Sequence, residues 1–530
     1  MFETARSYAG MVVAPHRLAA EAGNAVLREG GNAVEAMIAA ASTIAVVYPH
    51  MNSLGGDNFW LVHEPGREPM GIDACGAAAK GASRAFYRER DLDEIPARGP
   101  LAALTVPGAV SGWQRAYELS RDRLGGRMPL ERLLVDATRH ARDGIAVTRT
   151  QALNARAKLD QLKTQPGFAG LHLTHGEPPA EGSRFVQPAL ARTLEHLARA
   201  GLDDFYRGEL AQGLAADLRD AGSPLALPDF NRHYAVDVTP LSVNVAAHRV
   251  YNMPPPTQGL ASLMILALYA RLNVAHAETF DYVHGLVEST KAAFGVRDRY
   301  VTDPRFMSVD AATFLAPATL DETAGSIDAE RAAPWPDAAS AGDTVWLGAV
   351  DGHGRAVSFI QSIYWEYGSG VVAPGSGIVM QNRGTSFSLD PAHHNCLEPL
   401  RRPFHTIQPA LALLADGRVM AYGTMGGEGQ PQTQAMLYTR HIMHGQSLQA
   451  AVNAPRWLLG RTWGEAHTNL RMESRFPAAL YEQLSRAGHD VVIIGEYDEV
   501  MGHAGALVHH PHGLIEGAAD PRGDGAACGF

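Results

Sequence analysis

A chain of 530 residues that is 46% hydrophobic and 19% charged has ample material for a large core, and it lies far from the composition that keeps a chain disordered. Its 45 basic residues against 56 acidic ones give a formal net charge of −11, with no run of Lys/Arg that could track a phosphate backbone, so nucleic acid is excluded as a partner. Cys75, Cys396 and Cys528 are scattered without a CxxC pair, which excludes a disulfide framework and a zinc knuckle and points to packed thiols in a reducing compartment.

The opening MFETARSYAGMVVAPHRL lacks a positive n-region followed by an apolar h-region, so no signal peptide is read and a cytoplasmic location is expected. Next, PHRLAAEAGNAVLREGGNAVEAMIAAASTIAVVYP carries apolar residues at helical spacing. Gly30 and Gly31 break it, and Asn32 is placed to cap the second half. Its most apolar part, AMIAAASTIAVVY (36–48), is too short to span a bilayer and is bounded by Pro49, so it predicts a buried helix and no membrane partner. NFWLVHEP and EPMGIDAC predict short strands, and TVPGAVSGWQRAYELS (105–120) turns through Pro107 and Gly108 into a helix.

From Leu130 to about Leu272 the patterns are mostly helical, with one strand candidate, LSVNVAAHRVYNMP, before the loop MPPPTQG. SIDAERAAPWPDAASAGD (326–343) has no period and predicts an exposed loop or linker. After it the character turns to β: TVWLGAVD, GRAVSFIQSIYW, SGVVAPGSGIVMQN, IQPALALLADGRVMAYGTMGG, and a last pair, HDVVIIGEY and GHAGALVHHPHGLIEGAAD. A chain that is helix-rich first and strand-rich last fits an α+β, four-layer αββα sandwich.

The switch falls at Thr344. With DGHG (351–354) as the turn, Val350 faces Arg355 and Thr344 faces Gln361, one step from Ser362; a single-residue bulge would bring Ser362 opposite. A β-branched residue opening a strand needs no chemistry to explain it. The second reading is a nucleophile made by cutting the chain between Asp343 and Thr344. The released α-amino group would then serve as the base that a threonine hydroxyl requires at neutral pH. GTMGGEGQPQTQ (423–434) supplies adjacent glycines, Gly426 and Gly427, whose backbone N–H groups could hold an oxyanion or simply form a tight turn. The segment lacks both the G-x-G-x-x-G spacing and the GK[ST] ending of phosphate-binding loops, which disfavours nucleotides.

DTVWLGAVDGHGRAVSFIQS, GSGVVAPGSGIVMQN, FSLDP, RRPFHTIQPALAL, GTMGGEGQPQ and NAPRW follow in that order after MNSLGGDNFW, TVPGAVSGW and MPPPTQG. Together they resemble the γ-glutamyltransferase family of N-terminal-nucleophile hydrolases across essentially the whole chain. The resemblance implies one intertwined catalytic domain made as a proenzyme that cleaves itself into a large chain (1–343) and a small chain (344–530), which stay together. It implies that Thr344 attacks twice, first the preceding peptide bond and then the substrate amide. Ser362 takes the place of a second threonine that supports the new amino group, and Gly426 and Gly427 match the oxyanion glycines. No cofactor or metal is implied, and a homodimer of the processed pair is compatible with the family.

The departures concern the substrate. The family's γ-glutamyl enzymes hold the α-carboxylate with an arginine where this chain has Cys75, and the α-amino group with an aspartate where it has Ser386. An asparagine becomes Tyr364, and a serine pair becomes His405 and Thr406. Losing two charge-assisted grips, each worth roughly 1.5–3 kcal/mol, argues against glutathione. Arg383, His405 and Tyr364 instead suit a carboxylate close to the scissile amide, as in the branch of the family that hydrolyses oxamate in purine breakdown. A γ-glutamyl hydrolase or transpeptidase, and an inactive binding module on the same fold, are the alternatives. His393 and His394, and the HHPH run (His509, His510, His512), lack metal-site spacing and read as loop histidines.

Overall fold

The computed structural model describes residues 3–335, 343–460 and 468–530, apart from the side chain of Asp343. Two seven-stranded sheets lie face to face. The first runs, in spatial order, Ala526–Gly529, Gly10–Ala14, Asp343–Asp351, Ala356–Tyr364, Asp57–His63, Met70–Asp73, Val236–Val238. The second runs Ala5–Ser7, Ile515–Ala519, Ala504–His509, Val419–Thr424, Ala410–Leu413, His248–Asn252, Leu241–Val245. Strand pairing within both is antiparallel throughout.

Period-two burial explains the four layers. Val12 and Ala14 face a helical layer, while Met11 and Val13 on the same strand face the second sheet. The helices Arg17–Arg28, Ala33–Val47 and Leu130–Asp143 cover the first sheet, and Gly259–Arg271, Phe280–Tyr300 and Gln430–Tyr438 cover the second. This is the expected αββα sandwich. Asn32 caps its helix as expected: its Oδ1 accepts from the Val34 and Glu35 amides, and the Glu35 carboxylate accepts from Asn32 N, so three backbone amides are satisfied at the helix start. Among the described residues no helix is long and apolar enough to cross a membrane.

Three local expectations are corrected. The hairpin register is Val350↔Ala356 through Val345↔Gln361, one step further along the return strand than a DGHG turn gives. The Asp351 carboxylate accepts from both His353 N and Arg355 N, which draws Arg355 into the turn. Extending that register puts Thr344 across from Ser362; the irregularity sets Ser362 and Ile363 against Thr344 alone before Tyr364 pairs with Asp343, so the bulge is on the return strand and is not what brings Ser362 opposite. The single strand expected in LSVNVAAHRVYNMP is a hairpin, reversing at Ala246, which takes a positive φ of 52°. HDVVIIGEY does not pair with the last strands: Val491–Ile494 runs parallel to Leu470–Glu473 in a separate small sheet, because GHAGALVHHPHGLIEGAAD closes on itself.

Residues 326–335 form an irregular, largely exposed segment, as expected, tied at Asp328 and Ala333 to the helix Phe280–Tyr300. The rest of the linker, up to Gly342, lies outside the described residues.

Candidate active site

Strand parity aims Thr344, like Trp346 two residues on, into the space between the sheets. Trp346 fills that space: its indole donates to Ser358 Oγ at 2.9 Å, and a Cβ at Gly423 would lie 2.1 Å from its ring. Thr344 is fully buried, and its Oγ1 accepts a hydrogen bond of 3.1 Å from Gln430 Nε2, at the start of the helix Gln430–Tyr438. Immediately before that helix Gly426 and Gly427 both adopt positive φ, 113° and 52°, which L-residues with side chains rarely take. The strand Val419–Thr424, this glycine turn and the helix behind it thus converge on Thr344. Ser362 Oγ accepts from Tyr364 N at 2.8 Å, and a Cβ at Gly56 would be 2.2 Å from the Ser362 carbonyl, so the SLGGD turn seats the strand end that carries Ser362.

Tyr364, with φ of 81°, pairs in register with Asp343 and turns its ring under Arg383. The Arg383 guanidinium carbon stands 3.9 Å from the ring centroid. Arg383 is completely buried; Nη1 donates to Thr406 Oγ1 at 3.2 Å, and Nε and Nη2 have no hydrogen-bond partner among the described residues. Burial lowers its pKa to about 10, which leaves it a cation at neutral pH. His405, next to Thr406, is equally buried, and its Nε2 lies 3.5 Å from Asp57 Oδ2. Burial, then the charges of Arg383 and Arg402, hold His405 well below its usual pKa, so it is neutral.

Asp57 is the member that sequence reading missed. Its Oδ1 accepts from Gly76 N at 3.1 Å and Gly108 N at 2.9 Å. Both glycines are forced: a Cβ would stand 1.6 Å from the Val106 carbonyl at Gly76 and 1.4 Å from the Ala74 carbonyl at Gly108. Burial raises the Asp57 pKa to about 7 against the opposing pull of Arg383. The signal was a lone carboxylate between GG and an apolar strand. Gln258 was also missed: its Nε2 donates to the carbonyls of Thr406 and Gly427, joining the arginine side of the site to the glycine turn, and Arg297, paired with Glu428, holds its Oε1.

Two expected residues line clefts beside this group. Cys75 borders a cleft of about 470 Å³ with Asp73 and Arg402, and burial, then Asp73, push its thiol well above the usual pKa, so it is no thiolate. Ser386 ends the short turn that Arg383 begins and lines a different cleft, of about 360 Å³, beside Arg297 and Glu428. Of the histidines read as loop residues, His393 stacks on His394 and His510 pairs with Glu516; none belongs to a metal-binding group among the described residues.

The crystal structure of a cephalosporin acylase from Bacillus halodurans has the same architecture, with a TM-score of 0.91 and 33% identity over 100% of this chain and 97% of that one. The fold and its kinship define an N-terminal-nucleophile-type amidohydrolase, an enzyme that hydrolyses C–N bonds. The gamma-glutamyltranspeptidase family model matches residues 19–530, and the chain belongs to that family. It is 54% identical over 521 residues to an oxamate amidohydrolase proenzyme of Klebsiella pneumoniae, covering 98% of each chain. To the glutathione hydrolase-like YwrD proenzyme of Bacillus subtilis it is 39% identical over 523 residues, again with 98% of each covered.

Proposed function

We propose that this enzyme cleaves itself between Asp343 and Thr344 and then hydrolyses the amide of a small carboxylate-bearing substrate, oxamate, to oxalate and ammonia. The buried Arg383, with two N–H groups open on a tyrosine platform, carries this reading. A carboxylate one bond from the scissile carbonyl fits a single guanidinium, whereas an amino-acid head group needs opposed charges. The 54% identical relative, named for oxamate, supports the same choice.

In this mechanism the Thr344 Oγ attacks the amide carbonyl while its free α-amino group takes the hydroxyl proton. The oxyanion is held by backbone N–H groups of Gly426 and Gly427. The C–N bond then breaks, the amino group returns the proton to the leaving nitrogen, and ammonia departs. Water hydrolyses the oxalyl ester by the same steps in reverse roles. Ser362 supports the amino group, and Tyr364, Thr406 and neutral His405 fix Arg383 and narrow the pocket. The same reading keeps the two chains, 1–343 and 344–530, together in the cytoplasm, with a homodimer of the pair as the candidate assembly.

Intact mass under denaturing conditions, followed by ammonia release from oxamate, tests it. The expected result is two fragments meeting at Asp343 and Thr344, one uncut chain for Thr344→Ala, and steady ammonia release by the wild type only. An uncut wild type refutes the processing step. Turnover of a γ-glutamyl anilide without turnover of oxamate refutes the substrate.

A further inference from the structure

His284 and Glu288, one turn apart on the helix Phe280–Tyr300, meet His489, which follows the helix Ala478–Ala487, in the interior on the far side of the second sheet. All three are buried. His284 Nδ1 and His489 Nε2 are 2.8 Å apart, His489 Nε2 and Glu288 Oε1 are 3.9 Å apart, and all three ligand atoms lie within 4.8 Å of one another. Two ligands bound to one tetrahedral zinc ion at about 2.05 Å stand about 3.3 Å apart, a value these distances bracket. We propose that His284, Glu288 and His489 form a divalent-cation site, zinc by its ligand set, that clasps the segment leading to the cut and bridges the two parts of the chain.

The surroundings are those of an oriented ligand set. His284 Nε2 lies 2.8 Å from the Asp328 carbonyl, the outer contact that fixes an imidazole with its other nitrogen toward a metal. Glu288 Oε2 accepts from Ala333 N at 3.0 Å, which leaves Oε1 for the ion. Asp328 and Ala333 belong to the segment before Asp343, so an ion here holds the end of the large chain. His489 belongs to the residues after the cut; only that bridging role rests on the proposed processing. Without an ion, one proton is shared between the two imidazoles, and Lys291 Nζ contacts Glu288 Oε1 at 2.7 Å. Binding moves the His489 proton to Nδ1 and releases Lys291, which keeps its 2.6 Å bond to the Ala333 carbonyl.

The test is zinc titration by calorimetry, with the thermal midpoint as second readout, on full-length enzyme stripped by a chelator and dialysed. Expected are one zinc per 530-residue chain, a higher midpoint on binding, and loss of both in His489→Ala and in Glu288→Gln. Lys291→Met, lacking the competing ammonium, should bind more tightly. A His510→Ala/His512→Ala double variant should bind like the wild type, and so should uncut Thr344→Ala, which separates this site from the processing reading. If His489→Ala does not fold, Glu288→Gln decides. No binding to the stripped protein overturns the proposal. So does binding that survives Glu288→Gln or vanishes with the loop histidines, or weaker binding in Lys291→Met.

Discussion

Among the described residues Arg383 is a charge buried without a carboxylate in ion-pair distance, and the desolvation of such a charge offsets what its bond to Thr406 and its contact with the Tyr364 ring contribute. Replacing it with methionine should therefore leave the thermal midpoint unchanged or higher. The same variant should lower kcat/KM for oxamate by roughly 100-fold or more, the value of losing two charge-assisted hydrogen bonds. A fall in both midpoint and activity would make Arg383 a structural residue. Asp57 sets the pH dependence. Its folded pKa, about 7, is raised from 3.8, so the neutral acid prevails below pH 7 and a second anion faces the substrate carboxylate above it. KM for oxamate should rise as pH climbs through 7, and Asp57→Asn, which keeps an oxygen for Gly76 and Gly108, should flatten that rise. A raised folded pKa contributes stability that is complete below the unfolded value and lost as pH rises through the folded one. At pH 8 the asparagine variant should accordingly unfold at a higher temperature than wild type, in parallel melts at pH 5 and 8.

Gly76 and Gly108 end one strand connection and begin one helix, and they approach the carbonyls of Val106 and Ala74 so closely that no side chain fits. Gly108→Ala should push the start of the helix Ala109–Arg123 off the sheet. The expected destabilisation is roughly 1–3 kcal/mol, typical of overpacking, read by denaturant melts together with loss of the Asp57-dependent pH profile. At this scale the sequence was informative where local chemistry acts alone, as at the Asn32 capping box. It failed where a side chain intervenes from outside the pattern: the Asp351 carboxylate widened the hairpin turn and moved its register by one.

Across the molecule, the strand Asp343–Asp351 lies inside its sheet, between Gly10–Ala14 and Ala356–Tyr364, while Ala526–Gly529 pairs with Gly10–Ala14 from the other side. Strands from before and after the proposed cut are thus interleaved within one hydrogen-bonded layer. Cleavage should leave a complex that elutes as one species in size-exclusion chromatography and separates only in denaturant, at the concentration that unfolds the sheet. Elution of separate 1–343 and 344–530 chains under native conditions would contradict the interleaving.

The ordered motifs from MNSLGGD to NAPRW carried the family, the αββα layers and the position of Thr344, because strand alternation, helix period and glycine-bearing turns are written in neighbouring residues. Tyr364, His405 and Thr406 were legible as replacements of polar residues in those motifs, and Arg383 as a new charge beside them. Their meeting with Asp57, the bridge from Gln258 to the glycine turn, and the His284–Glu288–His489 group were not. Those groups join segments up to hundreds of residues apart, and the pKa shifts that give them their chemistry arise from burial, which exists only once both sheets and both helical layers have closed around them.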